Sequence, residues 1–202
     1  GLCRTPWWDH AQPSTRDAMA LAEKALSVDA LVEGMDLSAF AEGVRLHAEI
    51  MAFEAAQTLA SELTAQPEGL SPVLRAMLVS GMRMDRTSHR ENLRQAADLR
   101  DRIAGLFDRY DLLLAPAAPG EAPTGLGATG DPIFSRLWSL LHLPAITLPG
   151  FAGPAGMPVG IQLLAGMNED EKLLSHALWA ERLLPAPARP PGPPRSCRAP
   201  ST

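Results

Sequence analysis

The chain has 202 residues, 46% of them hydrophobic and 5% aromatic, with a net charge of −5. That length can bury roughly 70% of its unfolded surface around one core, which must be built mostly of Leu, Ala, Met and Val. The acidic balance argues against a nucleic-acid partner, and the apolar runs are too short and too often interrupted by Pro, Gly or charge to span a membrane. No basic, apolar and small-residue leader opens the sequence, and its start at Gly1 rather than Met reads as part of a longer protein. Cys3 and Cys197 stand at opposite ends and form neither a disulfide framework nor a C-x-x-C pair, which points to a reducing, cytoplasmic setting.

Residues 1–9, GLCRTPWWD, read as the end of a strand and a loop. A helix follows, with Ser14 and Asp17 shaped as a capping box and Ala18, Leu21, Ala22, Ala25 and Leu26 on one face. A short strand is expected around Ala30 to Val32. From Phe40 to Thr64, Leu46, Ile50, Phe53, Ala56, Ala60 and Leu63 recur at helical spacing until Pro67 and Gly69 intervene. Ser71 and Pro72 then restart the chain as N-cap and first helical residue. A long amphipathic helix is expected from Ser88 to Tyr110, with Leu93, Ala96, Ala97, Ile103 and Phe107 inward. The arginines between Arg83 and Arg109 alternate with acids and read as a solvated helix face.

The pattern changes at Asp111. Leu112, Leu113 and Leu114 suit a strand buried on both faces, and residues 116–132 read as a loop. Phe134, Leu137, Trp138 and Leu141 mark one helix face. Two strands are expected at Ala145 to Leu148 and Val159 to Leu164, and Asn168 with Glu171 caps a last helix. Residues 1–184 thus form one α/β unit. The Pro-rich stretch 185–202 reads as a disordered tail, because repeated proline removes ladder and helix donors. Few strands for so many helices is what part of a larger sheet would give.

Catalytic chemistry is hard to assemble from these residues. A nucleophilic serine needs a base within reach, but there is no G-x-S-x-G. Ser14, Ser38 and Ser71 lie at helix starts, and Ser135 and Ser139 on an amphipathic helix. Of the two lysines, Lys24 sits on a solvated helix face and Lys172 follows Glu169, Asp170 and Glu171, where neither gains the burial that lowers a lysine pKa. Those acids suit the positive end of a helix better than paired acid–base work. The histidines, at 10, 47, 89, 142 and 176, lack metal-ligand spacing, and no phosphate or dinucleotide loop occurs, so no cofactor is expected.

Three stretches carry a resemblance: LCRTPWWD (2–9); DLLLAPAAPGEAP (111–123); and LPAITLPGFAGPAGMPVGIQLL (143–164). Together they resemble the amidase-signature family, whose patterns read D-x-[LI]-[LV]-x-P-x-x-P-x-x-A-P and [GL]-[LM]-P-[VI]-G-[IL]-Q-[LI] over the second and third. Pro144 and Pro149 are expected to bracket a buried strand, and Pro158 to open the returning one. The resemblance implies the C-terminal part of a mixed-sheet, layered α/β fold, with helices flanking a few buried strands. It implies hydrolysis of a carboxylic amide C–N bond through a Ser-Ser-Lys triad in the N-terminal half, outside this chain, so nothing catalytic is carried over.

What this part would contribute is pocket wall. Phe134 and Trp138 would offer apolar or stacking surface, Ser139 a polar contact and Arg75 a polar or carboxylate-facing one, with core packing the rival role. Gln162 suits pairing with backbone groups. Relatives often carry Asn and Gly in an N-x-x-G-x-P run where this chain has Ser139 and His142, so His142 is expected at negative φ. An aromatic that often precedes the long helix is replaced by Thr87-Ser88-His89.

The partners implied are a small-molecule amide and the missing N-terminal half, with a homodimer left open. A second reading is a non-catalytic pseudoenzyme or interaction module, and a third the A subunit of a tRNA-dependent amidotransferase. Energetics favours the partial enzyme. Losing on the order of 1,000 Å² of apolar contact at ~25 cal/mol/Å² forfeits roughly 25 kcal/mol, against a domain stability of ~5–15 kcal/mol.

Overall fold

The computed structural model describes residues 1–186. A mixed sheet of five strands runs through the centre: β1 (Leu2–Cys3), β2 (Gly34–Met35), β3 (Leu113–Pro116), β4 (Ala145–Ala152) and β5 (Pro158–Leu164), in the order β2-β1-β3-β5-β4. β2, β1 and β3 are parallel, and β5 runs antiparallel to both β3 and β4.

Because successive strand residues face opposite sides, neighbours in sequence feed two separate cores. Leu2, Leu114 and Leu163 pack beneath α1 (Pro13–Leu26) and α7 (Asp170–Leu183), against Ala18, Met19, Ala22, Leu173 and Ala177. Cys3, Leu113 and Leu164 point the other way, toward α2 (Gly43–Thr58), α5 (Arg86–Ala104) and α6 (Ile133–Leu141). There they meet Leu46, Ile50, Ala96, Ile103, Leu137 and Trp138. The short α3 (Ala60–Ala65) leads to α4 (Pro72–Met82), which rests on the outside of α2. Gly81 makes that contact, since a Cβ there would come within 1.9 Å of the Ala52 carbonyl oxygen.

Several local expectations change. Ser14 is not a cap: Gln12 occupies the N-cap with Pro13 at the first helical position, so Ser14 falls inside the first turn. The strand expected at Ala30 to Val32 lies instead at Gly34–Met35, where it pairs with Leu2–Cys3. The helix expected from Phe40 begins at Gly43 after a 3-10 turn and breaks at Leu59. Asp85, not Ser88, starts α5, its carboxylate accepting the Thr87 and Ser88 N–H groups at 2.7 and 2.8 Å; a 3-10 turn replaces the last helical turn. Asn168 does not cap α7 but takes a left-handed φ of 65°, and the Glu169 carboxylate accepts the Gly166 N–H at 3.1 Å. Pro149 does not end β4 but sits within it at a bulge, on an edge strand where a missing donor is tolerated. From residue 187 onward the Pro-rich tail lies outside the described residues.

Other elements match. Ser71 accepts the Leu74 N–H at 3.3 Å with Pro72 at the helix start, β3 is buried throughout, and Pro158 opens β5. On α5, Arg94 pairs with Glu91 and Asp98 at 2.7 and 3.0 Å, as a solvated face should.

His142 overturns the expectation of negative φ. It stands just past α6 at φ 57°, ψ 34°, a left-handed cap that glycine fills without steric cost. The turn demands this geometry, because the Leu143 N–H returns to the Trp138 carbonyl at 3.2 Å. His142 is exposed and its removal leaves no hole. Replacing it by glycine should therefore raise stability by about 1 kcal/mol, read as a higher thermal midpoint; an unchanged or lower midpoint would show that the imidazole makes a compensating contact.

Candidate functional site

β1, β3 and β4 all finish at one end of the sheet, where β5 begins. Three connections gather there: residues 4–12 with the 3-10 turn Trp8–His10, the loop 117–132, and the β4–β5 turn 153–157. Ligands of open α/β sheets bind outside the carboxyl ends of parallel strands, so this rim is the candidate site. It is tied together from several elements. The Gln12 N–H donates to the Pro119 carbonyl at 2.7 Å and the Thr15 hydroxyl to that of Ala118 at 3.0 Å. The Glu121 carboxylate accepts the Met157 N–H at 2.8 Å and the Ala155 N–H at 3.1 Å. Asp131 accepts the Ile133 N–H at 3.0 Å and so starts α6.

Phe134 and Trp138 lie one helical turn apart on the buried face of α6, 1% and 2% exposed. Phe134 packs with Ala11, Ile133, Trp7, Trp8 and Val44 at the rim; Trp138 lies deeper, its cluster reached by Trp7 as well. Ser139 is on the outer side of α6, where its hydroxyl donates to the Ser135 carbonyl at 3.1 Å. Arg75 is on α4, exposed and paired with Glu68 at 3.0 Å. Two of the four residues singled out in the sequence thus meet at or behind the rim, and the other two face outward.

Gln162 is 4% exposed, and its side-chain amide donates to the Pro116 carbonyl at 2.6 Å and the Phe134 carbonyl at 2.9 Å. As the sequence suggested, it serves backbone groups: it joins β3, β5 and the first turn of α6 at one buried point. Glu121 was not singled out in the sequence. A carboxylate alone in a Pro-, Gly- and Ala-rich loop was its only signal. His47 on α2 is half-buried, and burial together with the nearby Arg136 guanidinium holds its ring below the usual histidine range. It therefore favours the neutral form.

Among the described residues, no serine hydroxyl bonds a lysine or histidine side chain. Ser27, Ser88 and Ser139 donate to Glu23, Asp85 and Ser135. Lys24 is exposed, and Lys172 is held by Glu169 at 3.2 Å. Burial pushes the Cys3 thiol up to about 12, which removes it as a nucleophile. A groove of about 680 Å³ lies beside the rim between the start of α1 and the end of β4, lined by Gln12, Asp17, Leu21, Phe151 and Pro154. A cavity of about 560 Å³, lined by Asp29, Glu33, Arg109, His176 and Trp179, opens at the other end of the sheet. No helix is long and apolar enough to cross a membrane among the described residues.

The chain matches the family model described as Amidase over residues 1–174. It is 32% identical over 90 residues to the A subunit of the glutamyl-tRNA(Gln) amidotransferase of Sulfurimonas denitrificans, a match covering 42% of this chain and 20% of that protein. A crystal structure of an amidase aligns with a TM-score of 0.78 at 28% identity, covering 87% of this chain and 43% of that one. A protein from a vestigial complex that bears on the evolutionary origins of an s-triazine catabolic enzyme aligns with a TM-score of 0.80 at 24% identity, over 94% of this chain and 44% of its own. This chain therefore spans about a fifth of the curated relative and somewhat over two fifths of the solved structures. With a family model matched over most of its length and the same mixed α/β sheet, the chain belongs to the amidase family.

Proposed function

We propose that this chain is the C-terminal portion of an enzyme that hydrolyses a carboxylic amide, and that it forms a wall of the substrate site. The reactive serines and lysine come from residues outside it. The observation that carries the reading is the amidase match over residues 1–174 in a chain whose described residues join no serine to a lysine or histidine. In this reading Phe134 and Trp138, 1% and 2% exposed, pack the core behind the wall and support Trp7 and Trp8, which cover them at the rim. Ser139 and Arg75, which face outward, would touch substrate or the rest of the enzyme only from that outer side. The free, buried thiol of Cys3 suits a reducing cytoplasm.

The test is amide hydrolysis by the purified 202-residue chain and by the enzyme extended upstream of Gly1. The extended enzyme should turn over and the chain alone should not. Turnover by the chain alone, surviving removal of contaminating hydrolases, overturns the reading. Its likeness to the A subunit of an amidotransferase favours a second reading, in which the acceptor is a glutamyl-tRNA and companion proteins are needed. Ammonia-dependent transfer in the presence of such a companion, in place of simple hydrolysis, would select it.

A further inference from the structure

The β4–β5 turn binds a carboxylate, and the carboxylate is the chain's own. Gly156 takes φ of +78°, which turns the backbone so that the N–H groups of Ala155 and Met157 on either side of it converge. Both donate to Glu121, Met157 at 2.8 Å and Ala155 at 3.1 and 3.2 Å to its two oxygens. Convergent N–H groups around a left-handed glycine form a nest, a concavity suited to an anion. The turn is closed by the Gly153 N–H on the Met157 carbonyl and the Gly156 N–H on the Gly153 carbonyl, both at 3.0 Å. Gly153 also supplies space, because a Cβ there would run into the Glu121 carboxyl carbon. Every one of these contacts is made within the chain, so none depends on what lies over the rim in the whole enzyme.

Glu121 stands at a junction. The loop that carries it is held on its other side by the Gln12 N–H at Pro119 and the Thr15 hydroxyl at Ala118. Its carboxylate therefore completes a tie among all three connections of the rim. A wall made of loops grips a substrate only as well as the loops are fixed relative to one another, and a misplacement of about 1 Å can cost on the order of 10²-fold in rate.

We propose that the β4–β5 turn is a carboxylate nest with Glu121 as its built-in ligand, and that this clasp positions the rim for the amide. The role in the amide site rests on the amidase reading above; the nest does not. Glu121 is a positioning residue: it acts through the turn and touches no reacting atom.

The test uses the whole enzyme, with benzamide as substrate and formate as the external carboxylate. Glu121→Ala empties the nest, so its Ala155 and Met157 amides should exchange faster with solvent and its thermal midpoint should fall. KM for benzamide should rise about fivefold while kcat changes less than about twofold, because the reactive groups lie outside this chain. Formate should slow that exchange again and bring the midpoint and KM back toward the parent's. Chloride at the same ionic strength should do neither, and formate should leave the parent unchanged. Glu121→Gln, which keeps one acceptor oxygen without the charge, should fall between the two. Gly153→Ala, which puts a methyl where the carboxylate sits, should speed the same exchange and not respond to formate. Unchanged exchange at Ala155 and Met157 in Glu121→Ala, or faster exchange that formate does not slow, overturns the nest. An unmoved KM in Glu121→Ala, while the parent hydrolyses benzamide, overturns the positioning role. An enzyme that hydrolyses no amide at all brings down the functional reading, and the exchange result still decides the nest.

Discussion

Replacing Trp138 by alanine should lower stability by about 3–5 kcal/mol, the range for deleting a large buried aromatic. The indole is 2% exposed in the core between the sheet and α2, α5 and α6, so little can collapse into the hole. Phenylalanine at the same place should behave differently. The indole N–H of Trp138 is buried without a hydrogen-bond partner, and an unpaired buried donor costs roughly 1–3 kcal/mol. Trp138→Phe loses part of the ring but also that penalty, so the net change should be under about 1.5 kcal/mol. Urea unfolding at constant m-value separates the two variants. Equal losses would show that the N–H is paired, by water or by a part of the enzyme outside this chain, and that its apparent isolation belongs to the chain alone.

How much of this was legible in the sequence follows from which forces set each element. Strands β3 and β5 were legible because a Leu run closed by Pro116 and an apolar-rich segment opened by Pro158 have few other uses. The start of α4 was legible because Ser71-Pro72 is a local signal that needs no tertiary help. The sites that misled are those where a distant contact decides. Ser14 lost the cap because the preceding Gln12 is fixed by Pro119, more than a hundred residues away. β2 formed at Gly34–Met35 because the register of Leu2–Cys3 selects it, and neither residue is a strong strand former. His142 misled for a subtler reason: a non-glycine residue lowers the odds of positive φ without forbidding it, and the turn bonds to Ser139 and Trp138 outweigh the strain.

The energetic expectation for a partial sheet holds only in part. α1 and α7 cover one face of the sheet and α2, α5 and α6 the other at β1 and β3, but β4, expected as a buried strand, leaves Ala145, Thr147 and Pro149 exposed. Of the large apolar side chains that remain open, Leu21, Val73, Met82 and Leu178 are on outer helix surfaces, while Val28, Leu31, Leu126 and Met167 lie in connections. At the candidate site, the backbone-serving role of Gln162 was visible, but the burial of Phe134 and Trp138 and the outward facing of Ser139 and Arg75 were not. Phe134 and Gln162 could be picked from spacing and motif, but the clasp made by Glu121 depends on a turn 34–36 residues further along.

Gln162 is where fold and candidate site are most tightly joined, and its variants should show it. Gln162→Leu keeps the volume but leaves the Pro116 and Phe134 carbonyls without their shared donor in a buried setting. Stability should fall by about 1–3 kcal/mol with no dependence on pH, the cost of one unpaired buried group, because the Phe134 carbonyl keeps its place in the α6 ladder. Gln162→Glu should be worse near neutral pH, because a carboxylate would face two carbonyl oxygens without a donor between them. Burial and that repulsion raise the folded pKa of the new carboxyl above its unfolded value. By linkage, what the protonated form contributes is fully present below the unfolded carboxyl range and is lost as pH rises through the raised folded value. The glutamate variant should therefore approach the leucine variant in acid and fall below it at pH ~7. Urea midpoints at both pH values decide the matter. Parallel curves for the two variants would mean that solvent reaches position 162, and the buried tie between β3 and α6 that holds Phe134 at the rim would then have to be sought elsewhere.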